Sequence, residues 1–97
     1  MPLSARQRQY LKGLAHDLAP VVRIGKARIT PEVAAETDRS LEAHELIKVR
    51  IEIEGSDSRR SVADDLADRT ASDVVARIGK IAIFYRAREE KPAIRLP

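Results

Sequence analysis

The stretch Leu46-Ile47-Lys48-Val49-Arg50-Ile51-Glu52-Ile53-Glu54 decides the fold. Ile47, Val49, Ile51 and Ile53 alternate with Lys48, Arg50, Glu52 and Glu54. A period of two belongs to a β-strand, whose successive side chains leave opposite faces. One face is therefore dry and the other wet. Gly55-Ser56-Asp57 closes the strand as a turn, and Ser58 opens a helix to about Thr70. In that helix Val62, Ala63, Leu66 and Ala67 recur at the spacing of one inward face, with Asp64, Asp65 and Asp68 outward. Upstream, Ile29-Thr30-Pro31-Glu32 reads as a helix start. Thr30 suits the N-cap, Pro31 the first helical position, and Glu32 the positive end of the helix dipole. This helix extends to about Ala43, with Val33, Ala34, Thr37 and Leu41 inward.

Further out, Ser4-Ala5-Arg6-Gln7 has the form of a capping box. A helix over Ala5 to Asp17 follows, with Tyr10, Leu11, Leu14 and Leu18 at helical spacing. Leu14 and Leu18 are expected to face the core, Tyr10 to take a core-like position, and Arg6, Arg8 and Lys12 to project outward. Pro20 ends this segment, and Val21, Val22 and Ile24 predict a short buried strand. Val74 to Arg86 reads as a strand region broken by a bulge or tight turn at Gly79-Lys80. Phe84 and Tyr85 are adjacent there, so one should point in and one out. Ala87 to Pro97 is expected to be a loose tail or an edge strand. The order α-β-α-β-α-β-β predicts one α/β domain over residues 1–97, a compact two-layer sandwich of helices on a small mixed sheet.

Composition narrows the function. The chain has 97 residues, 43% of them hydrophobic and 34% charged, which fits one globular domain and not a disordered chain. No apolar run approaches a bilayer span, and the first residues lack the apolar stretch of a signal peptide. The absence of cysteine excludes disulfides and thiolate metal sites. A cytoplasmic monomer without membrane attachment is the expectation. The net charge of +3 is unevenly spread: residues 1–28 carry +5, residues 29–73 carry −6 and residues 74–97 carry +4. Basic ends brought together would form a patch attractive to a polyanion; the alternative is a mixed, solvated surface.

Few residues are arranged for chemistry. Gly25-Lys26-Ala27-Arg28 lies between a strand and a capped helix N-terminus, where backbone N–H groups, the helix dipole and two cations could hold phosphate. The alternative, and from these four residues alone the commoner case, is an ordinary connection with solvated charges. Arg8 and Lys12 share a helix face with the same two readings. Arg23-Ile24-Gly25-Lys26 is echoed by Arg77-Ile78-Gly79-Lys80, too short a repeat to claim duplication. His16 and His44 have no metal-ligand spacing around them, and Asp64, Asp65 and Asp68 do not converge as a calcium loop would. No serine lies in a nucleophile motif. No cofactor, metal or catalytic residue is therefore expected. With three aromatics, stacking platforms of the kind that read single strands amount to one ring at most.

Leu3 to Lys26 contains Gln-Arg-x-Tyr-Leu-Lys and then Ile-Gly-Lys. Ile29-Thr30, His44-Glu45-Leu46-Ile47-Lys48-Val49, Ile78-Gly79-Lys80 and Phe84-Tyr85-Arg86 follow in order. This run of motifs resembles the YhbY family, the stand-alone bacterial form of the CRM (chloroplast RNA splicing and ribosome maturation) domain. The resemblance implies an RNA-binding α/β domain similar to the C-terminal domain of translation initiation factor three. It further implies association with precursors of the large ribosomal subunit. Family loops read Gly-x-x-Gly, similar to that of KH domains, whereas Arg28 stands here in the second glycine's place. If that position needs a positive φ, Arg28 is strained, and its guanidinium takes over phosphate contact from bare N–H groups. Lys80 and Arg86 join Gly25, Lys26, Ala27, Arg28, Arg6, Arg8 and Lys12 as candidate RNA contacts. The competing function is an adaptor whose acidic middle docks on a ribosomal protein. A small enzyme has no supporting arrangement of groups.

Overall fold

The computed structural model describes residues 2–97. Helix α1 spans Ala5–Ala15, strand β1 Pro20–Ile24, α2 Pro31–His44, β2 Leu46–Ile51, α3 Ser56–Thr70, β3 Asp73–Ile78 and β4 Ile81–Tyr85. The element order is the expected one. The sheet order is β1-β2-β4-β3, with β1 parallel to β2 and the other two pairings antiparallel. A parallel neighbour needs a crossover, which α2 supplies, whereas β3 and β4 need only the two-residue turn Gly79-Lys80. Gly79 has φ +59, the conformation glycine adopts without strain at the first turn position of a type II′ hairpin.

Local sequence sets the helix starts. Ser4 Oγ accepts from the Gln7 N–H at 3.1 Å, and Gln7 Oε1 accepts from the Ser4 N–H at 3.0 Å, completing the capping box. Thr30 Oγ1 accepts from the Val33 N–H at 3.1 Å with Pro31 in the first turn. Helix α3 begins two residues earlier than expected, at Ser56, because Gly55 enters it at φ +93. The second strand correspondingly ends at Ile51, although Ile53 still packs on the core.

The core lies on both faces of the sheet. On one face Ile47, Val49, Ile51, Ala82 and Phe84 meet Leu41 of α2 and Val62 and Leu66 of α3. Phe84 is fully buried, a burial that contributes roughly 3 kcal/mol. On the other face Leu46, Ile83 and Tyr85 meet Leu11 and Ala15 of α1, with Leu3, Ile94 and Leu96 closing over them. Phe84 and Tyr85 do alternate, but the outward side is roofed, so both rings are buried. Burial raises the Tyr85 phenol pKa, helped by the negative charges of Glu45 and Asp73.

Three expectations for α1 and β1 are corrected. Helix α1 seats on the sheet through Leu11 and Ala15, whose small side chain lets the helix come close. Tyr10 and Leu14 therefore fall on its flank, Leu18 lies beyond its end, and all three are exposed. Strand β1 is an edge strand, so Val22 and Ile24 are buried while Val21 is open.

The tail from Ala87 to Pro97 forms no strand. It is tethered by Glu45, which is wholly buried and has φ +65. The Glu45 carboxylate accepts from the backbone N–H groups of Arg88 at 2.8 Å, Ala93 at 2.7 Å and Ile94 at 3.0 Å. Burial alone would raise its pKa. The N–H groups of Arg88, Ile94 and Ala93 and the Arg88 charge outweigh it and hold the carboxyl below its ordinary value.

Candidate nucleic-acid interface

Strands β1 and β2 are parallel, so their C-terminal ends emerge at one end of the sheet. The β3–β4 turn lies at that same end. Ile81 pairs with Arg50, the Ile51 N–H donates to the Lys80 carbonyl at 2.7 Å, and the Glu52 N–H donates to the Ile24 carbonyl at 2.8 Å. Both Arg-Ile-Gly-Lys copies thus end together, although they are offset by 54 positions in the chain. Topology makes the short echo a shared position, with Lys26 and Lys80 at one rim.

Gly25 to Arg28 forms a tight turn closed by the Arg28 N–H donating to the Gly25 carbonyl at 2.9 Å. Arg28 has φ +59, the left-handed conformation that the missing second glycine would favour. An L-residue there costs roughly 1–2 kcal/mol relative to an ordinary conformation. Gly25, by contrast, does not have a positive φ, and a Cβ added to it would meet nothing within 4 Å. The fold itself does not demand glycine at position 25. Its lack of a side chain leaves open space beside the turn.

The charges at this rim differ in their commitments. Arg23 pairs with Glu52 at 3.1 Å and Lys80 faces Glu54 at 3.7 Å. Lys26 and Arg28 make no ion pair among the described residues. They sit before the N-terminus of α2, where the helix dipole adds to the attraction for an anion.

The remaining sequence candidates are dispersed. Arg6 and Lys12 are exposed on α1. Arg8 does not project outward. Its guanidinium donates to the Val74 carbonyl, with a longer approach of 3.4 Å to that of Val75. Arg86 is at the opposite end of the sheet, donating to Asp38 Oδ1 at 2.6 Å and the Thr70 carbonyl at 2.8 Å. These two arginines hold the fold together, and a ligand would have to displace internal contacts to reach them. Two cations were missed from sequence. Lys48 and Arg50 share the wet face of β2, and Arg50 lies directly beside Arg23 of β1. Their signal was already in the alternation of the second strand, whose two wet-face cations precede its two wet-face acids.

Among the described residues no cluster of His, Cys, Asp or Glu could hold a metal ion, and no helix is long and apolar enough to cross a membrane. The arrangement defines a small α/β domain with an exposed cationic turn between a strand end and a helix N-terminus. Residues 3–86 match the CRS1 / YhbY (CRM) domain, and the chain belongs to that family. It is 39% identical over 92 residues to a Pseudomonas aeruginosa protein named "Probable RNA-binding protein PA4753", covering 95% of this chain and 88% of that one. It is 40% identical over 95 residues to a protein of Haemophilus influenzae named "RNA-binding protein", covering 98% of this chain and 95% of that one. The solution structure of SAV1595 from Staphylococcus aureus, described as a candidate RNA-binding protein, superposes with a TM-score of 0.87. Its identity is 36%, over 98% of this chain and 99% of that one.

Proposed function

We propose that this chain is a non-enzymatic RNA-binding protein of the cytoplasm that grips backbone phosphates with the turn Gly25-Lys26-Ala27-Arg28. The observation that carries this reading is the turn itself. It combines two cations without an internal ion pair, a glycine the fold does not need, and a helix N-terminus directly behind it. The names of the relatives agree with RNA as the ligand. Lys80 lies at the same rim and extends the contact, with only an exposed partner, Glu54, to release. The target is large-subunit ribosomal RNA or its precursor, the class the family resemblance implies, and the role is assistance in subunit assembly.

The test is RNA affinity as a function of salt. Each phosphate neutralised contributes about 0.7 to 0.9 to the slope of log affinity against log salt. Replacing Lys26 and Arg28 together by alanine should weaken binding and reduce that slope by about 1.4 to 1.8, with unfolding unchanged. Wild-type affinity in the double variant removes the turn from the mechanism. Sequencing of RNA crosslinked in cells tests the target: reads concentrated on precursor large-subunit RNA support it, and reads following total RNA abundance count against it. The acidic middle, especially helix α3 with Asp64, Asp65 and Asp68 facing outward, favours a basic ribosomal protein as a second partner. Capture that survives nuclease treatment distinguishes that docking from RNA binding.

A further inference from the structure

The sheet face that carries α1 is only partly covered. Helix α1 crosses from β3, where Arg8 meets the Val74 and Val75 carbonyls, to β2, where Lys48 Nζ donates to the His16 carbonyl at 3.1 Å. Strand β1 lies beyond it at the sheet edge. Val22 and Ile24 turn toward α2 and α3, so Val21 and Arg23 turn to the open side. Alternation places Lys48 and Arg50 of β2 there as well. Toward the chain termini this open face runs into a groove of about 440 Å³, walled by Leu14, Leu18, Val21, His44 and Ile94. Leu14 and Val21 are each 45% exposed and Leu18 is 40% exposed. These aliphatics gather around one groove and leave a small apolar surface open there.

Charge complementarity selects the occupant. Arg23, Lys48 and Arg50 lie between the groove and the Lys26–Arg28 turn. The acid on that strip is Glu52, and one of its oxygens serves both Arg23 at 3.1 Å and Arg50 at 3.5 Å. Val21 to Ile24 is about 10 Å of extended strand, and the turn begins at the next residue, a span that a few nucleotides bridge. A chain anionic along its backbone and apolar in its side groups fits both surfaces at once. Single-stranded RNA has that character, because its unstacked bases can be splayed out. A duplex keeps its bases stacked inside and could use only the cations.

We propose that the groove beside α1 seats an unpaired RNA base, with the strand continuing over Arg23, Lys48 and Arg50 to the Lys26–Arg28 turn. This preference for single strands rests on the phosphate-gripping reading above and deepens it. The base packs on Leu14, Leu18 and Val21 by burial of its apolar face. Tyr10, exposed one helical turn before Leu14, is placed to stack a neighbouring base.

The test uses the full chain with three probes: an oligouridylate, the same oligomer with abasic sites, and a blunt RNA duplex. The methyl resonances of Leu14, Leu18 and Val21 should shift with the oligouridylate, through ring currents, and stay in place with the abasic oligomer. Replacing Leu14 and Leu18 together by serine should lower single-strand affinity about tenfold and leave duplex affinity and the salt slope unchanged. Both leucines are partly exposed, so the variant should stay folded with a melting temperature only a few degrees below wild type, which is checked in parallel. Unmoved methyls, or wild-type single-strand affinity in the serine variant, overturn the inference. If the Lys26 and Arg28 variant still binds weakly in that case, the phosphate turn stands and only the base seat falls. If neither variant alters binding, the turn and the base seat both fall, and RNA is held elsewhere on the chain.

Discussion

Glu45 and Arg28 are both non-glycine residues at positive φ, +65 and +59, at opposite ends of the sheet. Their surroundings differ entirely. Glu45 is buried, with its carboxylate oxygens satisfied by three backbone N–H groups of the tail. Arg28 is exposed and has no ion-pair partner among the described residues. At Glu45 the backbone strain is offset by what the side chain holds in place. At Arg28 no ion pair among the described residues offsets it, and the reading proposed above assigns its guanidinium to a ligand. A strained residue thus supports folding in one region and, in the reading proposed above, binding in the other.

The largest expected effect comes from removing the first of these. Replacing Glu45 by alanine leaves the amides of Arg88, Ala93 and Ile94 without their acceptor and should cost about 3 kcal/mol, measured by urea unfolding. Hydrogen exchange should show those three amides losing protection. Because the folded pKa of Glu45 is lowered, its contribution is complete above the ordinary carboxylate range. It is lost as pH falls through the folded value. The alanine variant should lose this part of the acid dependence of stability. If its stability falls toward acid in parallel with wild type, other carboxylates dominate.

At the other end, replacing Arg28 by glycine should relieve the left-handed strain. The net gain is about 0.5–1 kcal/mol after the greater chain entropy of glycine is counted. Thermal unfolding should move up by a few degrees while RNA affinity falls. A variant that gains stability and keeps full affinity would show that the arginine is not there for RNA. The smallest effect is expected at Glu52, which draws Arg23 and Arg50 together. Glutamine at position 52 leaves both cations free for phosphate and should raise RNA affinity about twofold to threefold, since exposed ion pairs are weak. Unchanged affinity would place the RNA path away from that row.

The sequence was legible wherever the signal was local. The capping box at Ser4, the Thr30-Pro31 helix start and the alternation of the second strand each depend on neighbours within a few residues, and each is present. Helix α1 was harder. Tyr10, Leu11, Leu14 and Leu18 all suit one broad apolar face, and only docking on the sheet selects Leu11 with Ala15 as the seam. The burial of Tyr85 was also out of reach, because its cover comes from α1 and from a tail without periodicity. Arg8 and Arg86 looked like surface charge, since nothing in a linear pattern reveals that a carbonyl of β3 or the end of α3 waits for a guanidinium.

By itself the sequence determined the elements, their order, the basic ends and the one turn whose residues suit phosphate. These follow from backbone preferences and short-range periodicity, which act before any long-range contact forms. Tertiary structure alone decided that the two Arg-Ile-Gly-Lys segments share a rim, that Glu45 ties down the tail, and that Leu14, Leu18 and Val21 gather beside a row of cations. Those outcomes depend on strand order and register, which join residues far apart in the chain, and no local pattern encodes them.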